Sequence, residues 1–135
     1  MSEKHIAFIA FGSNIGDTEE NIRAAAEALD LLPGTRVIKM SKTYVTKPWG
    51  YSEQPDFTNA AAKIETELSP RALLGACLGI EAAAGRKRTI KNGPRVLDLD
   101  LLSYDDLEIN DGELVLPHPG MKTRDFVTLP LNDIS

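Results

Sequence analysis

With 135 residues the chain is long enough for one hydrophobic core and too short for two, so 1–135 is expected to form a single domain. Its 42% hydrophobic and 26% charged content is ordinary for a soluble globular protein, and a net charge of −5 argues against general nucleic-acid binding. A single cysteine, Cys77, excludes an internal disulfide framework and fits a reducing, cytoplasmic setting, and the apolar run over 6–11 is too short to cross a membrane or form a signal core.

Residues 5–12 (HIAFIAFG) are apolar on both strand faces and predict a central buried strand. The strand stops at Gly12-Ser13-Asn14-Ile15-Gly16-Asp17, which could present backbone N–H groups to an anion but more commonly is a tight turn in which Asn14 or a glycine takes positive φ. It lacks the Gly-Lys-Ser/Thr of a phosphate loop. Asp17 and Glu20 have capping-box spacing. Ile22, Ala25, Ala26, Leu29 and Leu32 then recur at helical spacing until Pro33-Gly34. A second strand is expected over 35–46 (TRVIKMSKTYVT), rich in β-branched residues.

Residues 47–56 form a loop with prolines, a glycine and the only tryptophan, Trp49, and are a candidate lid or binding loop. A pinned loop packed on the body fits equally. Residues 57–66 (FTNAAAKIET) predict a third strand on which Phe57 and Asn59 share a face. An aromatic ring beside a carboxamide suits a flat pterin or purine, although a core Phe next to a backbone-bonded Asn gives the same pattern. Ser69-Pro70 opens a second helix with a stripe of Leu73, Cys77, Ile80 and Ala84, flanked by Leu74 and Leu78, and Gly85 is its expected C-terminal stop. Glu81 lies one turn before the basic run RKRTIKNGPR over 86–95, within reach of an arginine or a ligand.

That run contains no acidic residue and feeds into Leu97-Asp98-Leu99-Asp100-Leu101. On a strand, Asp98 and Asp100 share a face with Cα atoms about 6.6 Å apart, and the leucines take the other face. Taken alone, such a strand is more often a solvent-facing one with two acidic residues. Arginines that hold phosphate oxygens beside carboxylates that hold a divalent cation are what a magnesium–polyphosphate site requires. The basic loop and the paired aspartates together favour phosphate chemistry. Beyond them, 112–116 is a candidate short strand. His118 is expected to be a hydrogen-bonding side chain, and 121–127 reads as a short helix or turn carrying Arg124 and Phe126.

The order strand, helix, strand, strand, helix, strand implies an α+β fold, a ferredoxin-like α/β sandwich. Its mainly antiparallel sheet would be covered on one face by two helices. In this frame GSNIGD, Thr46-Lys47-Pro48-Trp49-Gly50, Gln54-Pro55-Asp56-Phe57-Thr58-Asn59-Ala60-Ala61, Gly93-Pro94-Arg95 with Leu97-Asp98-Leu99-Asp100, and Pro117-His118-Pro119 resemble, in order, the motifs of the 6-hydroxymethyl-7,8-dihydropterin pyrophosphokinase family. The resemblance covers essentially the whole chain.

It implies transfer of pyrophosphate from ATP to the pterin hydroxymethyl group in folate biosynthesis, with release of AMP. By the same match, Asp98 and Asp100 would hold two Mg2+ ions on the triphosphate. Arg86 and Arg95 would be catalytic and would stabilise the phosphates, and Arg88 would reach the nucleotide. Glu81, Leu101, His118 and Arg124 would line the ATP side. Phe57 and Phe126 would sandwich the pterin, while Asn59, Thr46, Pro48 and Trp49 would recognise its edge. Other folate-pathway enzymes are the partners it implies, with no nucleic acid and no membrane. The chain departs from many members at Lys91-Asn92, Leu78, Glu113, Val115 and Pro119. It also ends soon after Pro130-Leu131, as a naturally short form or a piece of a fusion would. An RNA-binding module on the same scaffold would need aromatic-rich central strands, and two aspartates beside the basic loop would oppose it.

Overall fold

The computed structural model describes residues 3–48, 53–85 and 95–134. In chain order these form β1 (His5–Ser13), α1 (Thr18–Asp30), β2 (Thr35–Met40), β3 (Tyr44–Thr46), β4 (Phe57–Thr66), α2 (Pro70–Ala83), β5 (Asp98–Tyr104), β6 (Ile109–Asn110), β7 (Val115–Leu116) and α3 (Asp125–Ile134). The main sheet has the order β2-β4-β1-β5, with β3 also pairing to β4, and every pairing in it is antiparallel. β1 and β2 therefore run parallel with β4 between them, the split β-α-β arrangement of a ferredoxin-like α+β fold. None of the described helices is long and apolar enough to cross a membrane.

The doubly apolar β1 lies inside the sheet, as its sequence requires. Ala7, Ile9 and Phe11 on one face join Ala60, Ala62 and Ile64 of β4 and Leu99 and Leu101 of β5, packed under α1 and α2. Each fully buried Leu or Ile contributes about 1.5–3 kcal/mol to this layer. The opposite face was expected to carry no helix. Instead, Ala10, Ala61 and Leu102 pack against Val127, Leu131 and Ile134 of α3. The short helix or turn expected over 121–127 is instead a helix that runs on to Ile134, with Pro130 inside it. An internal proline removes one backbone hydrogen bond. Here it is buried, and the apolar spacing of Val127, Leu131 and Ile134 carries the helix past it.

A second correction concerns 35–46, which is two strands and not one. Ser41 interrupts it: the Ala61 N–H donates to Ser41 Oγ at 2.8 Å, and the Ser41 N–H donates to the Ala61 carbonyl at 2.9 Å. The side-chain oxygen takes a ladder position, and β3 restarts against Asn59, Thr58 and Phe57. In β5 the register shifts so that Phe8 faces Ser103 while Ile9 faces Leu101. Leu102 keeps the α3 side that alternation from Asp100 gives it, and the extra residue returns Tyr104 to the core under α1 and α2, where its hydroxyl donates to the Leu68 carbonyl at 2.5 Å.

Both long helices start where their caps predict. Asp17 accepts the Glu20 N–H, Ser69 accepts the Ala72 N–H, and Gly85 follows α2 at φ +90°. The α2 stripe differs from expectation, since Leu73, Cys77 and Glu81 are its buried residues while Ala84 is exposed. Burial pushes the Cys77 thiol up to about 12, with Glu81 and Asp100 adding to the effect, so Cys77 is an inert core residue. The expected strand near 112–116 is β7, paired with β6 in a small hairpin. An ion pair between Arg71 and Asp111 ties that hairpin to the start of α2.

Candidate active site

The site is built where β1 ends, β4 begins and β5 begins. Register places Gly12 between Asn59 and Asp98, and Ala10 between Ala61 and Asp100, all on the α3 side of the sheet. A cavity opens over this patch. Gly12, Asn59 and Phe57 form its floor, Thr46 and Lys47 one wall, and Phe126 with Arg124 another. Asn59 is 3% exposed and its Nδ2 donates to Thr46 Oγ1 at 2.6 Å. A Cβ at Gly12 would stand 3.4 Å from Asn59 Oδ1, 3.7 Å from the Phe57 ring and 3.9 Å from Asp98 Cβ. Those are contact distances. Glycine is needed here for space and not for conformation, because a methyl group would fill the cavity floor.

A second cavity lies on the other side of β5. Leu74, Leu78 and Glu81 of α2 line it with Leu101, Val115 and His118. Asp98 and Asp100 line both cavities. The two carboxylates are the shared wall between an aromatic, carboxamide-bearing pocket and a pocket floored by α2 in which leucines alternate with Glu81, Glu113 and His118.

The GSN turn holds this junction together, through contacts that its local sequence did not announce. Positive φ falls on Gly16 and not on Asn14. Asn14 is 5% exposed. Its Nδ2 donates to Gln54 Oε1 and to the Pro55 carbonyl, both at 2.9 Å, and its Oδ1 accepts the Arg95 N–H at 2.8 Å. Ser13 Oγ donates to the Val96 carbonyl at 2.5 Å, and Asn21 Nδ2 donates to Ser13 Oγ at 3.1 Å. The segment that leads into Asp98 and the loop that leads into Phe57 are thus pinned to the same turn.

Charge is balanced locally. Arg95 Nη1 lies 3.1 Å from Asp98 Oδ2, with both side chains about one-fifth exposed. His118 Nδ1 accepts the Gly120 N–H at 3.0 Å, as its hydrogen-bonding assignment predicted. Burial, and then the Arg124 guanidinium, hold His118 below its usual pKa, with Asp98 pulling the other way, so its neutral form is favoured. Glu81 is 4% exposed, and its Oε2 accepts the Leu99 N–H at 2.7 Å. A buried carboxyl oxygen thereby satisfies the backbone of β5 between the two aspartates.

The family model for 7,8-dihydro-6-hydroxymethylpterin-pyrophosphokinase (HPPK) matches residues 8–135. The chain belongs to this family.

Among its relatives, the 2-amino-4-hydroxy-6-hydroxymethyldihydropteridine pyrophosphokinase of Methylorubrum extorquens is 47% identical over 96% of this chain and 82% of its own length. The Haemophilus influenzae enzyme of the same name is 44% identical over 96% of this chain and 81% of its own length. The folic acid synthesis protein fol1 of Schizosaccharomyces pombe is 44% identical over 99% of this chain, which spans only 18% of that protein. The fold is also that of a Plasmodium falciparum HPPK-DHPS structure with pteroate, at a TM-score of 0.76 and 16% identity, covering 98% of this chain and 39% of the other.

Of the residues that the pyrophosphokinase resemblance singled out, Thr46, Phe57, Asn59, Phe126, Arg95, Asp98, Asp100 and Arg124 line the first cavity. Glu81, Leu101 and His118 line the second. Arg124 therefore sits on the Phe126 side, 5.9 Å from that ring, and not in the wall formed by α2 and β7. Pro48 is half-buried just beyond Lys47 and outside the lining of either cavity. Trp49, Arg86 and Arg88 lie outside the described residues. Sequence reasoning missed Asn14 as a structural knot, Gly12 as the cavity floor and Ala10 beside Asp100. The signal for Gly12 was present, since a glycine facing the Phe57–Asn59 face of the next strand leaves room for a ligand.

Proposed function

We propose that the first cavity receives the pterin and the second the nucleotide, with the reacting phosphates lying over Asp98 and Asp100. The chain is an ATP-dependent pyrophosphokinase of folate biosynthesis that acts on 6-hydroxymethyl-7,8-dihydropterin. The hydroxymethyl oxygen attacks the β-phosphorus, the bond from that phosphorus to the α-phosphate oxygen breaks, and AMP leaves. The observation that supports the assignment is that the two aspartates line both cavities, so that acceptor and donor would meet across one carboxyl-bearing wall.

In this reading Phe57 and Phe126 stack on the pterin ring, and Asn59, held by Thr46, reads its edge. Arg95 leaves its contact with Asp98 to meet phosphate oxygens as charge develops toward AMP, and Arg124 sits close enough to Phe126 to support the same end. His118, uncharged and fixed by Gly120, offers its other ring nitrogen to the nucleotide side. Catalysis of this kind rests on alignment and charge neutralisation, with no covalent intermediate needed. Arg86, Arg88, Pro48 and Trp49 complete the proposed set by their family positions.

Asp98 and Asp100 also fit magnesium. They offer oxygen donors alone, side by side on one face of β5, where such an ion takes one or two carboxylates and fills its remaining positions from phosphate and water. Among the described residues no group of three or more His, Cys, Asp or Glu side chains is placed to hold a metal alone, so the nucleotide would complete the shell. Mg2+, two ions by the family pattern, would neutralise the triphosphate and lower the pKa of the acceptor hydroxyl. A cytoplasmic location and association with other folate-pathway enzymes belong to the same proposal.

Product analysis tests it. With ATP, magnesium and 6-hydroxymethyl-7,8-dihydropterin, AMP and pterin diphosphate are expected in equal amounts. ADP in place of AMP would mean single phosphoryl transfer, and the assignment of attack at the β-phosphorus would fall.

A further inference from the structure

Resting on the assignment of the first cavity to the pterin, we propose that Asp133, at the far end of α3, is a positioning residue that sets the width of that cavity by latching α3 to β3. The cavity has two walls from distant parts of the chain, Thr46 on β3 and Phe126 on α3. β3 is only three residues long and pairs with β4 alone, so its ladder holds it weakly. Asp133 supplies a second hold. Its Oδ1 accepts the Tyr44 hydroxyl at 2.7 Å, and its Oδ2 accepts the Lys42 N–H at 3.2 Å.

The geometry connects this latch to the site at both ends. Tyr44 and Thr46 are two apart on one strand, so they share the face that meets Asn59 and Phe57. Asn59 in turn donates to Thr46 at 2.6 Å. On the other side, Asp133 follows Phe126 by seven residues, two turns along the same helix face. One carboxylate therefore joins the rigid body that carries Phe126 to the strand that carries Thr46. The Tyr44 hydroxyl, against a desolvation penalty, then the Lys42 N–H and the nearby Lys42 and Lys39 charges, hold the Asp133 carboxyl below its usual range. Val127, Leu131 and Ile134 already hold α3 on the sheet. The latch is therefore expected to affect the spacing of the walls more than the stability of the fold.

The test compares wild type, Asp133→Ala and Tyr44→Phe by calorimetric titration. A non-hydrolysable ATP analogue with magnesium is titrated first, and 6-hydroxymethyl-7,8-dihydropterin is then added to that complex. Loss of hydrogen bonds to a charged acceptor is expected to weaken pterin binding about tenfold in Asp133→Ala, and less in Tyr44→Phe, while the analogue binds as in wild type. Pterin KM should rise with kcat at saturation little changed. Unchanged pterin affinity in both variants, or equal losses for pterin and nucleotide, would overturn the latch. If Asp133→Ala does not fold, Tyr44→Phe decides alone. Wild type that binds the analogue but no pterin would instead overturn the cavity assignment beneath it.

Discussion

Asn14 and Arg95 hold each other by reciprocal hydrogen bonds across 81 residues of sequence: the Asn14 N–H donates to the Arg95 carbonyl at 3.0 Å, and the Arg95 N–H donates to Asn14 Oδ1 at 2.8 Å. The same side chain reaches Gln54 and Pro55. Asn14→Ala would leave the Arg95 N–H and the Pro55 carbonyl without their side-chain partner, at about 1–3 kcal/mol for each group left buried. The knot fixes the segment that leads into Asp98, which lines both cavities. A fall in kcat/KM of at least about tenfold is expected, together with a lower melting temperature. Steady-state kinetics and calorimetry on the purified variant check it, and wild-type kinetics would show that the knot is not needed.

Asp98 and Asp100 project from the half-buried face of β5, while Leu99 and Leu101 fill the core behind them. Truncating either carboxylate removes charge and leaves the packing intact. Asp98→Ala and Asp100→Ala are each expected to lower kcat by about 100-fold or more, with an unchanged circular dichroism spectrum. Wild-type rates at saturating magnesium in either variant would exclude that aspartate from the phosphate site.

Gly12→Ala tests the floor of the first cavity. The added methyl group meets only contact distances within the protein, so folding should be retained. Its volume enters the space assigned to the pterin. A raised KM for the pterin with an unchanged KM for ATP is expected, read from initial rates at fixed saturating concentrations of the other substrate.

Asp105 offers a pH test remote from the site. Hydrogen bonds from the Ile6 N–H and then from His5, against a desolvation penalty, hold its carboxyl below the ordinary value of 3.8. A depressed carboxylate means that the unfolded chain takes up the proton more readily. Its contribution is therefore complete above the ordinary carboxylate range and is lost as pH falls through that range toward the lower folded value. Asp105 also has φ +48°, a left-handed conformation that asparagine tolerates. Asp105→Asn should melt at a lower temperature than wild type near neutrality, with the gap closing below about pH 4. A gap that stays constant with pH would show that the carboxylate charge is not the stabilising feature.

The elements that the chain specifies by itself are those encoded in local periodicity and caps. β4 begins at Phe57 and ends at Thr66 as its pattern required, α1 and α2 are capped by Asp17 and Ser69, and Asp98 and Asp100 share one face of β5 because a strand alternates every two residues. The motifs around these elements also carried the family. Tertiary structure decided what local pattern does not contain. Ser41 broke a continuous β-rich run because its hydroxyl found a ladder partner on β4, and α3 runs past Val127 and through Pro130 because an apolar stripe had a sheet face to bury against. Glu81 read as a residue within reach of an arginine or a ligand; it lines the second cavity, and only the fold shows that it is buried with its carboxyl oxygen on the Leu99 N–H of β5. Asn14 read as a turn former and became the tie between two distant segments. In each case the deciding term is a hydrogen bond or an apolar contact between residues far apart in the chain, and such terms exist only once the register of the sheet has brought the partners together.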